Sequence, residues 1–204
     1  MAQLVKSFVT LDKDSGSGNG TVTVSANSSN TGRTTVREVQ VTFSAANCDN
    51  VVKTVRQLAK GEATSIQSTA AVVNTGGTLT LTGVSNSKKL TFSKGTDNIG
   101  LTLPATYSAG GVSTNNGADI SGDPGATAEY NFSLQLTVPA NTEINDKTCQ
   151  IIVTDDGGNA YTCTITLAAG EAYLTVTPSS VELPWDASET ATFTVSSNTS
   201  WTIA

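Results

Sequence analysis

The chain has 204 residues, 37% of them hydrophobic and 14% charged, with a formal net charge of −6 and an isoelectric point near 4.5. An acidic chain whose lysines and arginines are scattered rather than striped has little with which to release counterions from a phosphate backbone, which argues against nucleic acid as a partner. Histidine is absent, and this removes His-dependent triads, imidazole acid–base chemistry and the common His-containing zinc sites.

Disordered chains of low hydrophobicity usually carry high net charge. Here Ser, Thr, Asn and Gly stand where the charges would be, a mixture that suits exposed strand faces and tight turns, so a folded chain is expected. From Met1 to Phe8 there is no basic region, apolar run or small-residue cleavage site, and no later stretch is long enough to span a membrane. Synthesis in the cytoplasm without export, and no membrane partner, are the expectations.

Helical periodicity is nearly absent and period-2 alternation recurs. In a first section, residues 1–62, the strand candidates are Gln3–Leu11, Gly20–Ala26, Val36–Ser44 and Val51–Leu58. Between them lie Asp14–Gly20, Asn27–Gly32 and Ala45–Asn50, all rich in turn formers. The glycine-rich run Gly16–Gly20 lacks the GK[ST] ending of a phosphate loop and no helix follows it, so it reads as a turn.

A second section, residues 63–170, offers Ser65–Val73, Thr78–Gly83, Lys88–Ser93, Gly100–Tyr107, Ala126–Val138, Lys147–Thr154 and Ala160–Leu167. Tyr130–Val138 is the cleanest: every even position is apolar and every odd one polar, the mark of a half-buried strand. Seven strands separated by Gly, Asn and Asp clusters is the count of an immunoglobulin-like sandwich of about 100 residues. The long, weakly patterned stretch Ser108–Gly125 reads as a surface loop with a contact role.

The third section, residues 171–204, offers Leu174–Thr177, Val181–Leu183, Thr190–Ser196 and Trp201–Ile203. About thirty residues cannot close a sandwich, so these strands are expected to be the first half of a domain, completed by further chain or by another polypeptide. The fold class expected for the whole is therefore all-β, a tandem of immunoglobulin-like β-sandwich domains.

Three cysteines, Cys48, Cys149 and Cys163, are too few for a disulfide framework. Cys149 and Cys163 share odd numbering with Ile151, Val153, Ile165 and Leu167 and should point into the core. Without an export signal, free thiols are expected rather than a cross-strand bond. Asp155–Asn159 (DDGGN) could offer oxygen ligands to calcium, but no third spaced acidic ligand follows, so a hairpin turn is the reading and no metal or other cofactor is expected. Asn131-Phe132-Ser133 and Asn198-Thr199-Ser200 fit glycosylation sequons, which matter only after eukaryotic secretion. Of the two tryptophans, Trp201 alternates with Ile203 and is expected in a core. Trp185, between Pro184 and Asp186, is the candidate for exposure and for stacking on a glycan.

Residues at both ends carry a resemblance. Pro178 closes a first strand, and Val195, Ser196, Asn198 and Trp201 supply a "tv-S-N-x-x-W" run, so that Tyr173–Ala204 resembles the opening half of a BACON domain. That is an immunoglobulin-like module abundant in Bacteroidetes proteins and their phages. Gly18–Val24, Asn27, Arg33, the strand to Phe43 and Lys53–Gln57 resemble its closing half. The resemblance covers a third to a half of the chain. It implies two functions. One is a non-enzymatic auxiliary or decoration protein on the capsid of a crAss-like, Bacteroidetes-infecting phage, with the major capsid protein or other virion proteins as partners and the virion surface as location. The other is a carbohydrate-binding module of a bacterial surface or secreted protein, with host-surface or mucin glycans as partners. No nucleophile–base pair suited to catalysis is visible in the sequence.

Overall fold

The computed structural model describes residues 2–204, and Met1, on which the start of the unexported chain was read, lies outside the described residues. Among the described residues every regular element is a strand. No helix among the described residues is long and apolar enough to cross a membrane. The fold is all-β and sandwich-like.

The first section begins with three short antiparallel strands, β1 (Leu4–Lys6), β2 (Val9–Leu11) and β3 (Val24–Ala26), in the order β1-β2-β3. The single strand expected over Gln3–Leu11 is instead a hairpin that turns at Ser7, whose φ is 56°. The residues show why: Leu4-Val5 and Phe8-Val9 are adjacent apolar pairs, which break the alternation a continuous half-buried strand needs. Strands β4 (Arg37–Phe43) and β5 (Val51–Gln57) form a second, two-stranded sheet in register from Arg37 opposite Gln57 to Phe43 opposite Val51. Phe8, Val9, Leu11 and Val41 form a small core between the sheets, flanked by Val39 and Val55.

In the second section the chain expected as one strand, Ser65–Val73, divides. β6 (Thr64–Ile66) pairs with one sheet, the chain crosses at Gln67–Ser68, and β7 (Thr69–Val72) pairs parallel with the other. One sheet, in the order β11-β10-β12-β8-β6, is built from β8 (Gly77–Ser85), β10 (Thr106–Ala109), β11 (Val112–Asn115) and β12 (Tyr130–Val138). The facing sheet, β7-β14-β13-β9, is completed by β9 (Leu90–Asp97), β13 (Lys147–Asp155) and β14 (Ala160–Leu167).

Alternation decides which side chains enter the core between these sheets. All even residues of β12 from Tyr130 to Val138 are buried, and from the opposite layer Cys149, Ile151 and Val153 of β13 and Cys163, Ile165 and Leu167 of β14 enter the same core. Phe92 organises the centre: its ring lies 5.0 Å from that of Tyr107 and 5.8 Å from that of Phe132, tilted in both cases, as aromatic quadrupoles prefer.

Two expectations need correction here. Ser108–Gly125 is not one loop, because Gly110 and Gly111, at φ 58° and 85°, make the two-residue turn of a β10–β11 hairpin. Both positions need positive φ, which a pair of glycines supplies without strain. Of Gly100–Tyr107, only the last two residues are in a strand, although Leu101 is buried.

The third section has only β15 (Leu174–Thr177) paired with β16 (Thr194–Ser197). Val181–Leu183 and Trp201–Ile203 are not strands. A two-stranded sheet offers no second layer against which such segments could settle. No residue of 171–204 is among the buried apolar side chains, whereas the first and second sections each have a core of their own.

The cysteines follow the topology. Cys149 stands opposite Ile165 and Cys163 opposite Ile151, so the two sulfurs are diagonal rather than directly paired, and all three thiols are free. Burial pushes the Cys149 thiol up to about 11 and also raises Cys163, while Cys48 is exposed. Thiolate is the reactive form. A thiol reagent added to native protein is therefore expected to modify Cys48 alone within minutes, and all three only after denaturation. Intact mass before and after adding denaturant reads this directly; rapid triple labelling of native protein would show that the core is open.

Candidate functional site

The most extensively connected polar cluster joins the first section to the second, and it is built from the loop that precedes β4. Asn30 is buried and organises that loop: its Nδ2 donates to the carbonyls of Thr35 at 2.7 Å, Gln57 at 3.3 Å and Leu58 at 3.3 Å, while its Oδ1 accepts from Gly32 N at 3.0 Å. An Asx side chain satisfying loop backbone in this way fixes the next residues without regular structure. The residue so presented is Arg33.

Arg33 reaches into the end of the second section. Its Nε donates to the carbonyl of Asn86 at 2.6 Å and its Nη1 to Asp123 Oδ2 at 2.7 Å, with a second, very short bond from Nη2 to Asp123 Oδ1. Glu62 Oε1 lies 3.9 Å from Nε. The fork geometry is the bidentate arrangement that makes Arg–carboxylate pairs both strong and directional. The hydrogen bond from Arg33 holds the Asp123 carboxyl below the usual aspartate range, and Asp123 in turn raises the guanidinium.

Beneath this clasp the polar groups are satisfied. Asn86, fully buried, accepts from Ala63 N at 2.7 Å and donates to the carbonyls of Gly61 at 3.1 Å and Ala126 at 2.9 Å. Glu62 Oε2 accepts from Ser87 Oγ at 3.0 Å and from Gly157 N at 2.7 Å, and Tyr130 Oη donates to Ser87 O at 2.7 Å. Burial pushes the Tyr130 hydroxyl up to about 12, so it remains a donor at neutral pH. The linker Gly61-Glu62-Ala63 is thus tied down residue by residue, and the clasp orients one β unit on the next.

The Asp155–Asn159 segment is a hairpin turn joining β13 to β14, as its residues suggest. Asp155 Oδ1 accepts from Asn159 N at 2.8 Å, and Asp156 pairs with Lys89 at 2.7 Å and Lys88 at 3.6 Å. These carboxylates are engaged by turn N–H groups and lysines, and among the described residues no group of three or more His, Cys, Asp or Glu is placed to hold a metal.

A second candidate surface is the outer face of the β8–β12–β10–β11 sheet. Thr80, Thr82, Ser108, Ser113, Ser133 and Gln135 present hydroxyls and amides without a charge, around shallow depressions of about 410 and 390 Å³. No titratable pair lines them, so the face can hydrogen-bond but has no nucleophile with a base beside it.

Trp185, the candidate glycan contact, is 97% exposed at the tip of a turn. Ala187 N donates to Pro184 O at 3.4 Å, and Asp186 Oδ1 accepts from Ser188 Oγ at 2.7 Å. Trp201, expected in a core, is 49% exposed instead, because the two-stranded sheet beside it has no opposing layer. A ring with no packing partners contributes little to folding. Trp185→Ala is therefore expected to change stability by less than about 0.5 kcal/mol, measured by the denaturant midpoint; a loss of several times that amount would mean the indole is packed in solution.

Arg33 and the stretch containing Asp123 each stand out in the sequence, but nothing in it joins them. They are 90 residues apart, and local periodicity carries no signal at that range. The available clue was Asp123-Pro124-Gly125, a turn that exposes a carboxylate at a fixed place.

No protein-family model matches the chain, and no curated protein matches it in sequence. Among solved structures, it is similar to a family 123 glycoside hydrolase from Clostridium perfringens at 16% identity and a TM-score of 0.34, over 53% of this chain and 27% of that one. It is also similar to the extracellular cadherin domains 1–5 of protocadherin gamma B2 at 13% identity and a TM-score of 0.36, over 81% and 32%. A third likeness is to the C-terminal domain of the Streptococcus agalactiae AgI/II polypeptide BspA, at 13% identity and a TM-score of 0.25, over 56% of this chain and 52% of that one. The chain spans about a third or less of the first two, and their activities stay with those proteins.

Proposed function

We propose that the chain is a non-enzymatic structural protein of the virion, an auxiliary or decoration protein that sits on the capsid of a Bacteroidetes-infecting phage and projects immunoglobulin-like units outward. The observation that carries this reading is the Arg33 clasp. A bidentate charge contact between consecutive β units, made by a half-buried Arg33 and an exposed Asp123, with a linker hydrogen-bonded at Gly61, Glu62 and Ala63, gives a fixed orientation. That is what a display arm needs and what a flexibly tethered module does not. The uncharged outer sheet face and the acidic balance suit a particle surface that must resist non-specific adhesion. The partner is the major capsid protein or another virion protein.

The test is mass spectrometry of phage particles purified from a Bacteroides host. The proposal predicts peptides of this chain at a fixed stoichiometry to the major capsid protein. Absence from particles, with the peptides recovered in the host cell envelope, would overturn it.

One observation favours a second reading, a carbohydrate-binding module: the exposure of Trp185, since pyranose rings stack on exposed indoles. That reading predicts glycan-array binding that Trp185→Ala abolishes. A flat array removes it.

A further inference from the structure

The joint between the second and third sections is centred on an asparagine that repeats one already described. In the middle section Asn86 closes the entry of the unit. Its Oδ1 accepts from Ala63 N at 2.7 Å and its Nδ2 donates to Gly61 O at 3.1 Å, while Ser87 N donates to Ser85 Oγ at 3.0 Å. Asn198 makes the same set in the third section. Its Oδ1 accepts from Tyr173 N at 2.9 Å, its Nδ2 donates to Glu171 O at 2.9 Å, and Thr199 N donates to Ser197 Oγ at 3.1 Å. The strand pairs match as well, since Thr64 stands opposite Ser85 and Leu174 opposite Ser197. Both sections therefore begin with one device: an asparagine that follows the later strand of a pair and bonds the backbone entering the earlier one.

The two differ in where one proton goes. A side-chain amide has two N–H donors. In Asn86 the other donor stays inside the unit, on Ala126 O at 2.9 Å. In Asn198 it leaves the unit and reaches Thr142 O of the middle section at 3.2 Å. Thr142 lies in the turn between β12 and β13, and the buried Asn141 sets that turn. Asn141 Nδ2 donates to Asn145 O at 2.8 Å and to Ala168 O at 3.0 Å, and its Oδ1 accepts from Glu143 N at 3.1 Å. The linker is bonded to the same turn. Ala169 N donates to Asp146 Oδ1 at 2.7 Å and Gly170 N to Glu143 O at 2.7 Å. A Cβ on Gly170 would lie 2.6 Å from Asn141 O and 3.0 Å from the Thr142 carbonyl carbon, so only glycine lets the linker lie this close.

We infer that Asn198 is the positioning residue of a fixed joint, holding the third unit in one orientation on the second as Arg33 holds the first. Consecutive units of one chain move relative to each other by default, and a hinge needs linker residues free to change φ and ψ. Here Ala168, Ala169, Gly170, Glu171 and Tyr173 each have a backbone group bonded to the turn, to the sheet or to Asn198. The two joints differ in chemistry. The first turns on the Arg33–Asp123 ion pair, whereas the second is made by amides and carbonyls with the Asp146 carboxylate as one acceptor. With both held, the three sections form one row. The joint rests on these bonds and not on the capsid role.

The test measures residual dipolar couplings of backbone amides in the weakly aligned 204-residue chain. One alignment tensor is expected to fit β12, β13 and β14 together with β15 and β16. Gly170→Ala, which lies in neither core, should separate them: the couplings of β12–β14 stay as they are, and the alignment of β15–β16 falls to about half or less. Asn198→Asp keeps the acceptor for Tyr173 N but loses both donors, and should release the joint in the same direction. Nuclear Overhauser contacts between Val176 and Val195, which stand opposite each other, should show the hairpin formed in wild type and in Gly170→Ala alike. A wild type whose β15–β16 couplings need a second, weaker tensor overturns the fixed joint. So does a wild type without the Val176–Val195 contact, or a Gly170→Ala chain that keeps one tensor. A chain found on phage particles but mobile at this joint would leave the capsid role standing and the fixed joint refuted.

Discussion

Gly83→Val is expected to destabilise the middle sandwich by about 3 kcal/mol or more, the largest effect of any single glycine substitution in its strands. Gly83 faces the core from the middle of β8, directly opposite Phe132 on β12. A Cβ at this position would lie 2.2 Å from the carbonyl oxygen of Ser65 and 2.3 Å from Cζ of Phe132. The ring occupies the space a side chain would take, and the Ser65 carbonyl belongs to β6, which pairs with β8 at this point. A ring can rotate away, but a paired strand cannot without losing its ladder. At the usual relation between free energy and melting for a domain of this size, the midpoint should fall by at least about 12 °C. Gly83→Ala should act in the same direction. Combined with Phe132→Ala it should cost less than the sum of the two single changes, because one of its two clashes is gone. A Gly83→Val protein that melts within a few degrees of wild type would show that β6 is not packed on β8 in solution.

The second large effect is expected at the clasp. Arg33→Ala removes the cation between Asp123 and Glu62 and leaves the Asn86 carbonyl without that donor, at an expected cost of about 1–2 kcal/mol to the docking of the first section on the second, since the Asp123 side of the pair is open to solvent. The cost should appear at the junction and not in the middle core. Amides of Glu62, Ala63 and Ser87 should lose protection from hydrogen exchange while those of β12 and β13 keep theirs. Arg33→Lys should not restore the contact, since an ammonium cannot make the paired bonds to Asp123 and reach the Asn86 carbonyl together.

The same contact predicts a pH dependence. The folded-state pKa of Asp123 is depressed by Arg33, so its contribution is fully present above the ordinary aspartate value of about 3.9. It is lost as pH falls through the depressed value below that, where the native carboxylate takes up its proton. The junction amides should therefore become exchange-labile on acidification before the core does. Asp123→Asn should remove that step, leaving a junction that is weaker at neutral pH and insensitive to acid in this range.

The β architecture was readable where a strand is half-buried and regular. Tyr130–Val138 and Ala160–Leu167 declare their faces by alternation, and Asp155–Asn159 declares its turn by composition. Reading failed where local pattern is not what decides. The sheet switch at Gln67–Ser68 leaves an apolar run that looks like one strand, because both halves are half-buried against different layers. The β10–β11 hairpin was hidden because Ser113 and Asn115 are polar and Val112 is solvent-facing, so only Gly110-Gly111 marked it. Alternation with Ile203 points Trp201 to a core, yet alternation specifies a face and not whether anything covers it. The clasp was beyond reach for a different reason: it is a contact between loops, fixed by the whole fold rather than by any window of sequence.

The most direct test of the capsid reading is a cryo-electron microscopy reconstruction of particles from a Bacteroidetes-infecting phage that encodes this chain. Density is expected for tandem β-sandwiches at symmetry-related sites on the outer shell, with the first two units in the fixed relation set by Arg33 and Asp123. A shell on which this chain has no place, together with its recovery from the bacterial surface, would overturn the proposed capsid role.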